Sequence, residues 1–310
     1  MTEKKDITLF HNYLLDFANN LKQYGKLWYN VYNLKYFVYD RPDKEKPYIS
    51  RTIKINDDKM TVNLVPQTIF NKKEVEARYL GETEDDIFSF IMYSYSRNPQ
   101  RMNGKDCVMI TLKEINAIFK YNFKKIKQSL DLLSNYKVYF EYNKTYDGVL
   151  PVQFISGFIY DQKTKKTLVF LPPEISEFIY DNKFIIMNYQ QLFNLKNRIA
   201  KLLYKRINIT NVMNFENKVQ YLKIPETLCN FLSQYGIEYK ARYQKKRLFE
   251  ETISGLDELK QNKIIEDYKL EPITGLNKSI IDYKLEMYLS KEFCLKFSAS
   301  QKGKQLLEQV

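Results

Sequence analysis

The sequence predicts an α+β protein built from two similar domains, and three observations lead to this expectation. Apolar residues recur at helical spacing, as at Ile87, Phe90 and Ile91. Aromatic, alternating segments such as 137–142 follow directly behind helical patterns and are typical of strands. An order of helices in which a basic helix comes just before a strand pair occurs in the first half of the chain and again in the second. That order is typical of a winged helix-turn-helix domain.

Residues 1–82 are predicted to form an arm, made of a helix and a hairpin, that packs on the first domain. The helix is indicated by four apolar residues at helical spacing: Leu14, Phe17, Leu21 and Tyr24. The hairpin is indicated by two strand-like runs on either side of a turn at Asp57 and Asp58.

The first winged-helix domain is expected at 83–187, and its helices have readable start signals. Thr83 stands before a run of acidic residues and is the expected N-cap of the first helix. Thr111 has Glu114 three residues later, a capping-box pattern that predicts the start of the second helix. The third helix is expected from Phe123 to Asn135.

This third helix has an apolar and a polar side. Its apolar stripe should be buried and contains Phe123, Ile126, Leu130 and Leu133. The polar residues project away from the stripe and are predicted to bind DNA: Lys124, Lys125, Lys127 and Gln128. Three strands are expected behind the helix, at 137–142, 152–161 and 166–172.

The second winged-helix domain is expected at 188–310. A single long helix over 188–207 should open it and join the two domains, with Lys201, Lys205 and Arg206 around its apolar stripe. The elements that should follow are a short helix within 224–237, a longer helix from Lys240 to Asn262, and two strands at 263–271 and 279–289.

The longer helix is the second predicted recognition helix. Its buried stripe should contain Phe249, Ile253, Leu256 and Leu259. Residues at its N-terminal end are predicted to bind DNA: Lys240, Arg242, Tyr243, Lys245, Lys246 and Arg247. Lysines would contact phosphates, whereas Arg242 or Arg247 could donate two hydrogen bonds to a guanine edge. We therefore expect this helix to dominate sequence specificity.

Two further groups are candidates with weaker signals. Lysines near strand connections could follow the DNA backbone or simply solubilise turns: Lys137, Lys144, Lys163, Lys165 and Lys166. Aromatic residues over 136–142 could stack on unpaired bases. Their alternation along a strand favours packing in the core instead.

The charge balance favours a polyanionic partner. Among 310 residues, 49 are Lys or Arg and 37 are Asp or Glu, a formal net charge of +12. Neutralising phosphates releases condensed counterions, so such a surplus promotes binding to nucleic acid. The alternative, that these are ordinary solvated lysine faces in a lysine-rich chain, stays open.

Enzymatic functions lack the residues that they need. His11 is the only histidine, which excludes a relaxase that binds its metal through a histidine pair. No Walker-type phosphate loop occurs, so ATP use is not expected. The acid pairs Asp57-Asp58 and Asp85-Asp86 read as a turn and a helix start rather than metal ligands. The 26 tyrosines leave a tyrosine recombinase formally open, but the second half lacks a supporting constellation of histidine and arginine residues. We therefore expect no catalytic site, cofactor or metal.

Compartment signals are few. Three widely spaced cysteines give neither a disulfide framework nor a zinc site: Cys107, Cys229 and Cys294. No secretory signal is recognisable, and no apolar run approaches the roughly 20 residues that span a bilayer. The protein is expected to be cytoplasmic.

Over roughly residues 80–290 the chain resembles the plasmid replication initiator (Rep) family, whose members have two winged-helix domains. The resemblance rests on the patterns of 110–142, 194–207 and 224–266. It implies binding to repeated origin sites, opening of the origin for the host initiator and for loading of the helicase, and a possible homodimer. The alternatives are a winged-helix transcriptional regulator of a phage or mobile element, and a protein that only scaffolds others.

Overall fold

A computed structural model gives the structure of the chain at residues 16, 18–28, 49–55, 58–65, 81–135, 137–142, 149–173, 184–213, 221–233, 237, 242–275 and 279–303. The chain divides into two compact units. The first unit is Gly25–Phe184, and the second combines Met1–Tyr24 with Ile185–Val310. Each unit contains helices and antiparallel strands, which confirms the α+β class. The predicted limits of the three domains stay a prediction.

The elements up to the end of the first unit are β1 (Tyr24–Trp28), β2 (Ile49–Ile55), β3 (Asp58–Val65), α1 (Glu82–Arg97), β4 (Gln100–Met102), β5 (Lys105–Thr111), α2 (Leu112–Phe119), α3 (Phe123–Asn135), β6 (Lys137–Tyr142), β7 (Val149–Gln153), β8 (Gly157–Asp161) and β9 (Lys166–Phe170). The first unit has two four-stranded antiparallel sheets, of order β2-β3-β6-β7 and β4-β5-β9-β8. The predicted hairpin is confirmed as β2 and β3, and β3 also pairs with β6. Leu14, Phe17 and Asp57 lie outside the described residues.

The prediction of one strand over 152–161 is wrong. Strand β7 ends at Gln153 in one sheet, and β8 begins at Gly157 in the other. Phe154 and Ile155 between them are both buried, whereas consecutive residues of a strand point to opposite faces. The chain therefore changes sheets at a buried corner.

Helix α1 is central to the core of the first unit. Its side chains Ile87, Phe88, Ile91 and Tyr95 are almost completely buried. The helix begins at Glu82 with Gly81 as the N-cap residue, so the cap predicted at Thr83 is wrong. Acidic side chains such as Glu82 are favourable in a first turn, and this turn starts before the threonine.

The second unit contains a short 3-10 turn, Leu21–Gln23, and then β10 (Phe184–Asn188), α4 (Tyr189–Asn194), α5 (Arg198–Met213), β11 (Tyr221–Lys223), α6 (Leu228–Ser233), α7 (Arg242–Gln261), β12 (Ile265–Thr274), β13 (Ile280–Leu289) and α8 (Lys291–Lys302). Strands β11, β13 and β12 form an antiparallel sheet in that order. Helix α8 was not predicted. Its signal is readable in the sequence, because Ser290 caps it by accepting from the Phe293 N–H, and Phe293 and Phe297 are buried one turn apart.

The predicted single helix over 188–207 is wrong, since α4 ends at Asn194 and α5 starts at Arg198. The Asn197 side chain accepts hydrogen bonds from the N–H groups of Ile199 and Ala200, at 2.8 and 3.2 Å, and so caps α5. This cap competes with helix continuation through the break. Within α5 the basic residues expected on the polar side are buried: Lys201, Lys205 and Arg206.

The two units share one order of elements and one strand pairing. In the first unit α1, β5, α2 and α3 precede the hairpin β8–β9, and β5 pairs with β9. In the second unit α5, β11, α6 and α7 precede the hairpin β12–β13, and β11 pairs with β13. Strands β6 and β7 are an insertion in the first unit that joins β2 and β3 instead.

Candidate nucleic-acid interface

In the first unit, α2 and α3 are joined by a three-residue turn whose geometry is fixed by local hydrogen bonds. The predicted capping box at Thr111 and Glu114 is confirmed at the start of α2. Lys120 ends α2 in the left-handed conformation, with φ of 60°. The Asn116 side chain donates to the Tyr121 carbonyl at 2.6 Å, and the Asn122 side chain accepts from the Lys125 N–H at 2.9 Å. Asn122 thereby caps α3.

Buried contacts hold α3 against α1. Ile126, Leu130 and Leu133 are fully buried, as predicted. The Tyr121 hydroxyl donates to the buried Asp86 carboxylate at 2.8 Å, and the Ser129 hydroxyl donates to Glu84 at 2.6 Å. These bonds set the rotation of α3 about its own axis.

The hydrogen bond from Tyr121 gives Asp86 a structural role, and Asp86 is one member of the acid pair Asp85-Asp86. Burial, followed by repulsion from the Asp86 carboxylate, raises the pKa of Tyr121 well above its usual range. The hydroxyl therefore stays protonated and keeps donating to Asp86. Within the described ranges no cluster of three metal-ligating side chains occurs, at this pair or elsewhere.

The exposed face of α3 carries all four residues predicted for it. Lys124, Lys125, Lys127 and Gln128 are exposed. The Lys125 Nζ lies 4.3 Å from the centre of the Tyr121 ring, a cation–π contact. Among the described residues Lys124 and Lys127 have no ion-pair partner. Cations near a helix N-terminus oppose the helix dipole, so an anion bound here would relieve that repulsion.

Phe123 is the one residue of the predicted stripe that is not buried. It is 47% exposed and packs its ring against Tyr160 of β8, with ring centres 5.1 Å apart. Phe123 is the first residue of α3, before the helix reaches the core. The contact holds hairpin β8–β9 beside the first turn of α3.

The tip of hairpin β8–β9 is polar and basic. Asp161 accepts from the Thr164 hydroxyl at 2.6 Å and from the Lys163 N–H at 2.8 Å, and these bonds lower the pKa of its carboxyl. Three predicted lysines are exposed here: Lys163, Lys165 and Lys166. Lys144 and Tyr136 lie outside the described residues, and the side chains of β6, which include Lys137, are not described.

In the second unit, the structure describes α7 from Arg242 to Gln261. Lys240 lies outside the described residues, and the side chains of Arg242 and Tyr243 are not described. Lys246 and Arg247 are 82% and 80% exposed as side chains. Each has an acidic neighbour one turn on, because Lys246 lies 3.8 Å from Glu250 and the Arg247 Nε lies 2.9 Å from Glu251. This i,i+4 spacing of basic and acidic residues is readable in the sequence.

Helix α7 presents a different face to the core from the one predicted. Leu256 and Leu259 are buried as expected, but Ile253 is 41% exposed and Phe249 is only half-buried. The buried side instead includes Leu248 and Thr252. The predicted stripe is therefore rotated by a fraction of a turn.

Gly255 explains the rotation, because α7 approaches α5 closely at this residue. A Cβ added there would lie 2.9 Å from the Asn197 side-chain oxygen and 3.0 Å from the Ala200 backbone nitrogen. The Glu258 carboxylate accepts from the N–H groups of Lys196 and Asn197, at 2.7 and 2.9 Å. Both contacts fix α7 on the N-terminus of α5.

Hairpin β12–β13 is long and tied to the helices at defined points. The Asp282 side chain accepts from the Cys229 N–H in the first turn of α6, at 3.2 Å. Tyr283 packs edge-to-face on Phe249 of α7, with ring centres 4.6 Å apart. These contacts position the hairpin beside the basic half of α7.

Comparisons with known proteins give structural neighbours only. No protein-family model matches the chain, and no curated protein sequence matches it significantly. The structure is similar to the Pi initiator protein in complex with iteron DNA, with 15% identity and a TM-score of 0.47, over 68% of this chain and 92% of that chain. It is also similar to domains 2 and 3 of RctB, with 9% identity and a TM-score of 0.47, over 85% of this chain and 98% of that chain.

No helix in the described ranges combines the length and apolar character needed to cross a membrane.

Proposed function

We propose that the chain is a sequence-specific double-stranded DNA-binding protein in which each unit is a winged helix-turn-helix module. The observation that carries this proposal is the exposed basic face of α3, fixed behind a three-residue turn after α2. The second unit repeats the order and strand pairing and again places basic residues at the start of its longer helix. A helix held in this way can lie in a major groove with its N-terminal residues at the base edges.

The two helices would use different chemistry. Lys124 and Lys127 can neutralise phosphates, which gives affinity without sequence information. Arg247 is held through its Nε by Glu251, which leaves its two Nη groups available for the N7 and O6 acceptors of guanine. We therefore propose that α7 supplies more of the specificity than α3 does, and that Lys163, Lys165 and Lys166 contact the backbone.

We further propose that the protein is a plasmid replication initiator, as its sequence resemblance implies. It would bind repeated origin sites, promote their opening, act with the host initiator and helicase, and have no catalytic site. Homodimer formation and a cytoplasmic location belong to the same proposal. A transcriptional regulator with the same fold would bind one palindromic operator instead.

The test is binding of the full chain to the DNA upstream of its gene and to a scrambled duplex, across a salt series. A specificity ratio above about a thousandfold would support specific recognition. Several copies bound in proportion to direct repeats would favour the initiator, whereas one dimer on one palindrome would favour the regulator. Equal affinity for both duplexes would contradict the proposal, because it would reflect general basicity alone.

A further inference from the structure

Two adjacent isoleucines are exposed at the end of hairpin β12–β13. Ile280 is 48% exposed and Ile281 is 47% exposed. Neighbouring strand residues normally point to opposite faces of a sheet, so one of two adjacent apolar residues is expected to be covered. Here neither is.

A β-bulge accounts for this double exposure. Ile273 pairs with Asp282 and Thr274 pairs with Ile280, so Ile281 is an additional residue without a partner on β12. Bulges of this kind redirect side chains and increase the local twist. Gly275, which directly follows β12, leaves space for the redirected side chain, since a Cβ on Gly275 would lie 3.1 Å from the Ile281 Cγ2.

The hairpin end is held next to the basic half of α7. Tyr283, two residues after Ile281, packs on Phe249, and the Lys245 Nζ lies 5.7 Å from the centre of the same Phe249 ring. Asp282 is bonded to the first turn of α6. The isoleucines therefore lie close in the chain to a residue that packs beside the basic side chain of Lys245.

We propose that Ile280 and Ile281 form a wedge that enters the minor groove and unstacks a base step next to the segment bound by α7. The inference rests on the proposed DNA binding of α7. Apolar side chains inserted between base steps kink a duplex, and the cost of unstacking is offset by the added contacts. The proximity of the two isoleucines to a residue packed beside Lys245 favours DNA over a protein as the occupant.

Such a wedge would link binding to strand opening. A step that is already unstacked needs less free energy to separate, and pyrimidine–purine steps deform most easily. Specificity would then depend partly on the deformability of base pairs that no side chain contacts.

The test uses the full chain and a set of duplexes with the sequence of the DNA upstream of its gene. Each duplex carries a single 2-aminopurine, and its position moves by one base from one duplex to the next. Unstacking raises the fluorescence of this base. For the wild type we expect the 2-aminopurine fluorescence to rise at one base step, next to the DNA segment that α7 binds. The double variant I280A/I281A should lose most of that rise while its affinity changes by less than about tenfold. The variant Ile280→Phe should retain the rise, because an aromatic ring can also wedge.

The matched control is Ile159→Ala, which removes an exposed isoleucine from hairpin β8–β9 of the first unit. It should leave the fluorescence unchanged. The wedge is overturned if I280A/I281A binds with wild-type affinity and unstacks the same step, or if the bound wild type unstacks none. Failure of the wild type to prefer its upstream DNA would instead overturn the proposed function, so the two failures are distinguishable.

Discussion

The two units carry the same arrangement of helices and hairpin but distribute charge differently. Helix α3 exposes lysines without ion-pair partners among the described residues, and the tip of its hairpin β8–β9 is basic. In helix α7, Glu250 and Glu251 follow Lys246 and Arg247 by one turn and pair with them. The hairpin after this helix, β12–β13, has exposed isoleucines at its end. A shared topology therefore does not fix the charge of the surface, which depends on side chains outside the core.

The anchoring of the two helices differs as well. Helix α3 is held to α1 by two hydrogen bonds, Tyr121 to Asp86 and Ser129 to Glu84, in addition to its leucines. Helix α7 is held to α5 by close packing at Gly255 and by the Glu258 carboxylate. Affinity and specificity should accordingly respond to different substitutions in the two units.

The largest expected effect is on the core beneath α7. Leu256→Ala should lower the free energy of unfolding by about 2–5 kcal/mol, because it removes fully buried methyl groups. Denaturant unfolding followed by circular dichroism measures this change. The control is Ile253→Ala on the same helix, which should cost much less since Ile253 is partly exposed. Equal losses for the two variants would mean that the rotation of α7 is wrong.

The next effect concerns the polar anchoring of α3. Tyr121→Phe should destabilise the first unit by about 1–3 kcal/mol, because the buried Asp86 carboxylate loses a donor. Tyr160→Phe is the control, since its ring would still pack on Phe123. If both substitutions had the same small effect on thermal unfolding, the hydrogen bond would not anchor the helix.

Removing Glu250 and Glu251, the two acids one turn after the basic residues of α7, should bring the charge of this part of the helix closer to that of α3. The variant E250Q/E251Q should bind scrambled DNA more tightly, because two carboxylates near the phosphates are gone. It should also discriminate less between the upstream and scrambled duplexes, because Arg247 is no longer oriented. Titrations with both duplexes at one salt concentration measure the two affinities. Unchanged discrimination would contradict the orienting role of Glu251.

The smallest effect is a pH dependence in the sheet of the second unit. Lys223 donates to Glu286 across β11 and β13 at 2.9 Å, and this bond holds the pKa of the Glu286 carboxyl below its usual range. The resulting stability is present above the pKa of an unfolded glutamate and is lost as the pH falls through the lower, folded pKa.

The melting temperature of the wild type should therefore fall more steeply between neutral and acidic pH than that of Glu286→Gln. The control is Glu266→Gln, which changes an exposed glutamate of β12 and should keep the wild-type slope. Parallel curves for the wild type and Glu286→Gln would show that this pair adds no pH-dependent stability.

Local signals in the sequence predicted well those elements whose ends are set by nearby residues. The capping box of Thr111 and Glu114 is formed, and Phe123–Asn135 has the predicted limits. The exposure of Lys124 and Lys127 followed from the periodicity of α3. Each of these features depends on residues within about one turn of helix.

Features set by distant contacts could not be predicted in this way. The segment 152–161 divides between two sheets, because β7 belongs to the sheet that includes the distant strands β2 and β3, whereas β8 belongs to the sheet of β4, β5 and β9. The rotation of α7 follows from the approach of Gly255 to α5, which periodicity alone does not contain. Burial of Lys201 and Arg206 likewise depends on what surrounds α5 in the folded protein.

The most direct test of the central claim, that both basic helices bind DNA, compares two variants of the full chain across a salt series. K124A/K125A/K127A should weaken binding to the upstream and scrambled duplexes alike and reduce the salt slope by about 2.7, for three lost phosphate contacts. K245A/K246A/R247A should lose the preference for the upstream duplex. If both variants kept the wild-type slope and preference, neither helix would contact DNA and the account would be contradicted.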